Sequence, residues 1–158
     1  MTDALGWAAM IHSYLTVANV NAWVWWAISD EPWLGDGTDN GALTDINGNP
    51  AKRAYVTGQW SKFVRPGWYR INVTDTSGMS ISAFNNTSSG QFAVVVVNSG
   101  STNSDTFTFN GFNATSVTPW ITNATLSLAQ QSSLAVSGGS FSYTVPAGSV
   151  VTFAGQAQ

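Results

Sequence analysis

The run Ala22-Trp23-Val24-Trp25-Trp26-Ala27-Ile28 breaks off into the loop Ser29-Asp30-Glu31-Pro32-Trp33-Leu34-Gly35-Asp36-Gly37-Thr38-Asp39-Asn40-Gly41. Seven residues with no charge, glycine or proline, dense in tryptophan and bounded by polar turns, predict a buried strand over 23–28 rather than a helix. Upstream, Ala4, Ala8, Ile11 and Leu15 recur at helical spacing with Leu5 beside them. That pattern predicts an amphipathic helix over 2–17, stopped near Asn19. A helix, a strand, an acidic loop and a second helix form one unit of an α/β architecture, in which a parallel strand delivers residues to a ligand at its carboxyl end.

The second helix is announced by Asn47-Gly48, a strong turn pair, followed by Asn49 as cap and Pro50 at the first helical position. It is expected over 49–64, with Val56, Trp60, Phe63 and Val64 as its buried stripe and Lys52, Arg53 and Lys62 in water. Arg65-Pro66-Gly67 ends it. From Trp68 the hydrophobic period changes to two. Short strands are predicted over 68–73, 80–84, 92–97, 106–109, 116–121, 141–145 and 150–153, with Ser, Gly and Asn breakers between them. Strands at this spacing predict an antiparallel β-sandwich. Phe92 to Val97 is continuously apolar and is therefore expected at the centre, covered on both faces. The fold class is mostly β: a sandwich over 67–158 preceded by a helix-strand-helix unit over 1–66.

Composition excludes several functions. Charged residues make up 8% of the chain, so Ser, Thr, Asn and Gly must wet the surface, as in extracellular β proteins. Five Lys and Arg against eight Asp and Glu leave no basic stripe for nucleic acid. No apolar run is long enough to span a membrane as a helix. With no Cys there are no disulfides or thiolate metal sites. The amino terminus shows neither a basic region nor a small-residue cleavage site, so no signal peptide is expected within this chain. Asn-x-Ser/Thr sequons begin at Asn72, Asn85, Asn86, Asn113 and Asn123, a weak pointer in a chain so rich in these residues. His12, the only histidine, has no second ligand beside it and reads as a packed or solvated helix residue.

Trp23-Val24-Trp25-Trp26, then Gly41-Ala42-Leu43, then the string from Lys52 through Trp60, Arg65-Pro66-Gly67-Trp68-Tyr69-Arg70 and Ile71 closely resemble the carboxyl-terminal part of glycoside hydrolase family 30, which includes bacterial and fungal xylanases. Val117-Thr118-Pro119-Trp120 and the stretch 146–153 resemble the family's ending. The resemblance implies a (β/α)₈ barrel with a β-sandwich at its side. The first predicted helix would be the seventh of the barrel, 23–28 its eighth strand and 49–64 its eighth helix. It also implies a secreted, xylan-active enzyme.

Retaining glycoside hydrolysis needs two carboxyl groups about 5–5.5 Å apart, one nucleophile and one acid/base. In the enzymes this chain resembles, both are Glu at the ends of the fourth and seventh strands, positions expected upstream of Met1. The only Glu here is Glu31, after the predicted eighth strand, so the chain alone is expected to lack both catalytic groups and to be inactive. The remaining wall gives candidate substrate contacts: Trp26 first and Trp25 second as the aromatic floor beneath a sugar, Trp33 at the loop tip, and Glu31 and Asp30 beside it. The bland alternative for the two strand tryptophans is barrel core. Some relatives carry an Arg in this loop for a glucuronic acid branch; here the loop has four acids and no Arg. Asp36 to Asn47 partly matches a calcium loop but ends in Asn where a bidentate Glu belongs, so neither metal nor cofactor is expected.

The expected partners are a xylan-like cell-wall polysaccharide and either the missing barrel portion or a second copy. An isolated barrel unit leaves apolar surface and a strand edge uncovered unless its helices fold back onto the sandwich. The competing function is a free-standing carbohydrate-binding module using Trp68, Tyr69, Trp120 or Tyr143.

Overall fold

The computed structural model describes residues 1–29 and 41–158. Helix α1 spans Thr2–Thr16 and α2 spans Lys52–Ser61. The strands are β1 (Tyr69–Ile71), β2 (Ser80–Asn85), β3 (Gln91–Asn98), β4 (Asn103–Thr108), β5 (Ala114–Thr122), β6 (Ala129–Gln130), β7 (Leu134–Ala135), β8 (Ser140–Val145) and β9 (Ser149–Ala157). A large sheet runs β1-β2-β3-β9-β5-β6, with β7 also on β5, and a two-stranded sheet pairs β4 with β8. Every ladder is antiparallel. The expected mostly-β antiparallel sandwich with two helices is what forms.

The large sheet is coated twice. On one face Val94, Val96, Val151 and Phe153 join Phe107 and Phe141 from the small sheet in a core rich in aromatic contacts. On the other face Val95, Val97, Val150 and Phe84 pack against Ala4, Ala8 and Ile11 of α1 and Val56 and Trp60 of α2. Successive residues of β3 point to opposite faces, so an unbroken valine run is what a strand covered on both sides requires. Each such side chain contributes roughly 1.5–3 kcal/mol by leaving water.

A polar lock joins α2 to this sheet. Gln59 is fully buried, and its Nε2 donates to Thr122 Oγ1 at 2.8 Å. The Thr152 hydroxyl shares its proton between Gln59 Oε1 at 2.6 Å and Gln59 O at 2.8 Å. Trp60 Nε1 donates to Ser82 Oγ at 3.3 Å, and Lys52 Nζ donates to Leu126 O and Ser127 Oγ, both at 2.9 Å.

Several expectations need correction. Residues 23–28 form no strand: their ladder is confined to Leu43 N donating to Ala27 O at 3.3 Å, Thr44 N to Ile28 O at 2.8 Å, and one parallel bridge from Ser29 to Thr44. With one partner, on one side and at its carboxyl end alone, the segment makes no regular ladder. Helix α2 begins two residues later than expected, with Ala51, in extended backbone, at its cap. Asn49 does not cap it, because Asp45 holds both the Asn49 N–H and the Asn49 side-chain amide, each at 2.8 Å. Arg53 is buried rather than wet, its Nε 3.4 Å from Asp3 Oδ2 of α1. The first predicted sandwich strand shrinks to Tyr69–Ile71, and the two-residue strands β6 and β7 had no periodic signal.

The end of α1 falls where expected. Val20 N returns to Tyr14 O at 3.1 Å around Asn19, whose φ of 54° is the left-handed conformation that a short amide side chain tolerates at a helix terminus.

Candidate functional site

After α1 the segment 23–29 alternates. Trp23, Trp25 and Ala27 are half-buried, while Val24, Trp26 and Ile28 face out. Trp23 leans on Tyr14, with ring centroids 5.1 Å apart, and Trp25 meets Trp7 edge-on at 4.5 Å. Both neighbouring indoles donate to one acceptor, the Gly41 carbonyl: Trp25 Nε1 at 2.8 Å and Trp26 Nε1 at 3.1 Å. Gly41 has φ +69°, and a Cβ there would lie 3.2 Å from Trp26 Cζ2, so the close approach of the ring requires glycine.

The two candidate floor residues are thereby different in kind. Trp25 is wedged between α1 and the 41–44 segment. Trp26 is 73% exposed, with its polar edge tethered and its ring open, which suits apolar contact with the C–H face of a pyranose. Asp30, Glu31 and Trp33 lie outside the described residues, as does the 36–40 part of the calcium reading. The Gly41 carbonyl went unnoticed in the sequence; a glycine directly after an acidic loop was its only signal.

Behind this wall Asp45 organises the turn into α2. Its carboxylate accepts the Asn47 N–H at 2.9 Å as well as both Asn49 donors, and its own carbonyl accepts Ser29 Oγ at 2.9 Å. The Asn49 side-chain amide, then the backbone N–H groups, favour the charged form and hold its pKa below the ordinary aspartate value. A depressed folded pKa contributes stability above the unfolded value, and that contribution is lost as pH falls through the folded one. The Asp45 carboxyl resonance is therefore expected to titrate below a free aspartate, and Asn49→Ala to bring its midpoint back up; an NMR pH titration reads both.

The described side-chain carboxylates are engaged in four separate places. Asp3 accepts from Trp7 and pairs with Arg53, Asp45 holds its turn, Asp75 accepts the Ser77 N–H, and Asp105 the Thr106 N–H. Among the described residues no three His, Cys, Asp or Glu gather to hold a metal. His12 is half-buried, with Nε2 3.3 Å from Thr16 Oγ1, and burial lowers its pKa.

Of the four aromatics considered as a separate sugar platform, Trp68 packs against the helix-side core and Tyr143 meets Phe153 edge-on at 5.1 Å. Trp120 is covered by Lys62 Nζ at 3.4 Å from its ring centroid and flanked by Phe63. Only Tyr69 of these is exposed, at 65%.

Residues 67–153 match the model of the glycosyl hydrolase family 30 beta sandwich domain, which is more than half of the chain. The chain belongs to glycoside hydrolase family 30. It is 31% identical over 154 residues to "Glucuronoxylanase XynC" of Bacillus subtilis (strain 168), covering 96% of this chain and 34% of that protein. A family 30 endoxylanase from Clostridium papyrosolvens superposes with a TM-score of 0.81 at 29% identity, over 97% of this chain and 38% of that one. A family 30 subfamily 8 xylanase, Xyn30A, from Clostridium acetobutylicum gives 0.84 at 29% identity, over 98% and 38%. The chain thus spans about a third of the length of its family 30 relatives, and it matches them across both the helical unit and the sandwich. Among the described residues no helix is long and apolar enough to cross a membrane.

Proposed function

We propose that this chain is the carboxyl-terminal part of a secreted, xylan-active family 30 hydrolase, a (β/α)₈ barrel enzyme. In that enzyme the chain supplies the aromatic wall beneath a sugar and the side sandwich, while the two catalytic carboxyls come from the remainder of the barrel. The observation carrying this is the coverage: near-complete on this chain and about a third on relatives named as xylanases. A single glutamate in the chain supports the same division of labour, since a retaining mechanism needs an acid/base and a nucleophile facing each other across the glycosidic bond.

In this reading Trp26 forms the floor, its N–H anchored on Gly41 and its ring open to the sugar, with Trp25 locking it against Trp7. Trp33, Asp30 and Glu31 of the following loop are further proposed contacts to the sugar. A pyranose seated on the ring would be held by apolar C–H contact and oriented by the loop, with the proton transfers left to the barrel carboxyls.

The test is turnover of xylooligosaccharides by the 158-residue chain alone and mixed with the upstream two thirds of a family 30 relative. The chain alone is expected to release no sugar and the mixture to hydrolyse. Trp26→Ala in the mixture should lower kcat/KM by about tenfold, roughly 1.4 kcal/mol of transition-state binding. Hydrolysis by the chain alone, or a Trp26→Ala mixture as active as the parent, would overturn the assignment.

A further inference from the structure

Three Asn-Gly pairs occur in the chain, at Asn40, Asn47 and Asn110. Such a pair is chemically unstable when the glycine nitrogen can reach the asparagine side chain, because no Cβ on the second residue hinders the approach. The backbone hydrogen bonds around each pair decide whether it reacts. Asn40 lies outside the described residues, and the other two pairs differ.

Asn47-Gly48 is locked. The Gly48 N–H donates to Asp45 O at 3.0 Å, and the Asn47 N–H donates to the Asp45 carboxylate at 2.9 Å. To react, the Gly48 nitrogen must give up its hydrogen bond and its proton beside an anion, which disfavours both steps.

Asn110-Gly111 carries no such lock. The pair lies in the turn from β4 to β5, which is pinned on either side: the Phe109 N–H donates to Gly139 O, and Asn113 O accepts the Gln158 N–H, each at 2.8 Å. Between these anchors neither the Gly111 N–H nor the Asn110 side chain makes a hydrogen bond to a described residue. Asn110 is exposed, and Gly111, at φ +90°, has nothing within 4 Å of where a Cβ would stand. Phe109 and Phe112 belong to the core shared with the small sheet, whereas α1 and α2 pack on the opposite face of the large sheet. The freedom of this turn therefore does not rest on what covers the helical unit.

We propose that Asn110 is a site of spontaneous deamidation and isoaspartate formation. The Gly111 nitrogen loses its proton and bonds to Asn110 Cγ, and the side-chain nitrogen leaves as ammonia, closing a cyclic imide. Water then adds to either imide carbonyl carbon and breaks its bond to the ring nitrogen. Opening at Cγ gives aspartate; opening at the main-chain carbonyl gives isoaspartate, whose backbone runs through the former side chain and is longer by one carbon. Water is the only co-reactant, and nothing is oxidised or reduced.

The product has a structural consequence. Phe109 and Phe112 flank the pair, stack on each other at 4.8 Å, and meet Phe92 at 4.9 and 5.1 Å. A longer link between two pinned ends displaces rings that are packed at crystal-like density, so the isoaspartyl form loses stability. The aspartyl form keeps the backbone length and the stack. None of this depends on the reading of the Trp26 face.

Incubation of the full chain at mildly alkaline pH tests the proposal. Peptide mapping follows each asparagine, and methyl transfer from S-adenosylmethionine by an isoaspartyl methyltransferase marks isoaspartate. In the folded chain Asn110 is expected to convert at least about tenfold faster than Asn47, the factor by which one backbone hydrogen bond shifts a local opening equilibrium. In urea the two should convert at similar rates. The aged chain should melt about 2–4 °C below the fresh one. Fresh Asn110→Asp should melt with the fresh parent, and aged Asn110→Gln with its own fresh form. Equal conversion of Asn47 and Asn110 in the folded chain, or conversion of Asn110 in urea alone, would overturn the site. An aged chain that melts with the fresh one would overturn its effect on the aromatic stack.

Discussion

Gly155→Ala is expected to destabilise the fold by about 3 kcal/mol, the upper part of the range for forcing an extra carbon into a packed core. Gly155 sits in β9 opposite Phe92 of β3 on one side and Val117 of β5 on the other. A Cβ there would overlap Phe92 Cζ, lie 2.8 Å from Phe92 Cε1 and approach the Ser116 carbonyl at 3.0 Å. The ring cannot step aside cheaply, because it meets Phe109 edge-on and Phe112 at a tilt, at centroid distances of 4.9 and 5.1 Å. The backbone oxygen cannot either, because β5 changes register between Ala114 and Val117, and the Ser116 carbonyl belongs to that bulge. Denaturant midpoints would report the loss. The partner variant Phe92→Leu, destabilising by itself, should recover part of it in Gly155→Ala, giving a coupling of at least about 1 kcal/mol in a double-mutant cycle. Additive effects would mean that the ring is not what excludes the methyl group.

Gln59→Ala is expected to cost about 2–4 kcal/mol, combining the volume removed from a fully buried site with the lost hydrogen bonds of two buried hydroxyls. Thr122 Oγ1 would keep the Leu128 N–H at 3.0 Å and Thr152 the Gln59 carbonyl, which places the loss below that of stranding both groups completely. Gln59→Glu distinguishes hydrogen bonding from volume. A carboxyl of nearly the same size, with no cation among the described hydrogen-bond partners of this side chain, has its folded pKa raised by burial. Its protonated form can still donate to Thr122, so the variant should hold together in acid and lose stability as pH rises above the unfolded glutamate value. Thermal melts across pH would show a slope absent from the parent; a flat profile would contradict the buried geometry.

Much of this architecture was legible because the relevant signals are local. The spacing of Ala4, Ala8, Ile11 and Leu15 specifies a helix whatever lies around it, and an unbroken valine run is intelligible only as a strand covered twice. Residues 23–28 have the sequence of a strand but not its ladder, because apolar density says nothing about how many hydrogen-bonding neighbours the segment has. The alternation that turns Trp26 outward and Trp25 inward is a matter of register, and two adjacent tryptophans give no hint of which parity applies. Asn49 lost its capping role to Asp45, a competition between two short polar side chains four residues apart. Arg53 went under cover because Asp3, fifty residues away in sequence, was waiting on α1.

The double coat on β3 has a further consequence for where this molecule can be cut. Val95, Val97, Val150 and Phe84 owe their dryness to α1 and α2. A recombinant piece begun at residue 67, where the family's sandwich definition starts, would present that valine-lined face bare to solvent. The two helices therefore act as the sandwich's own resident chaperone, and severing them would leave a face prone to clump.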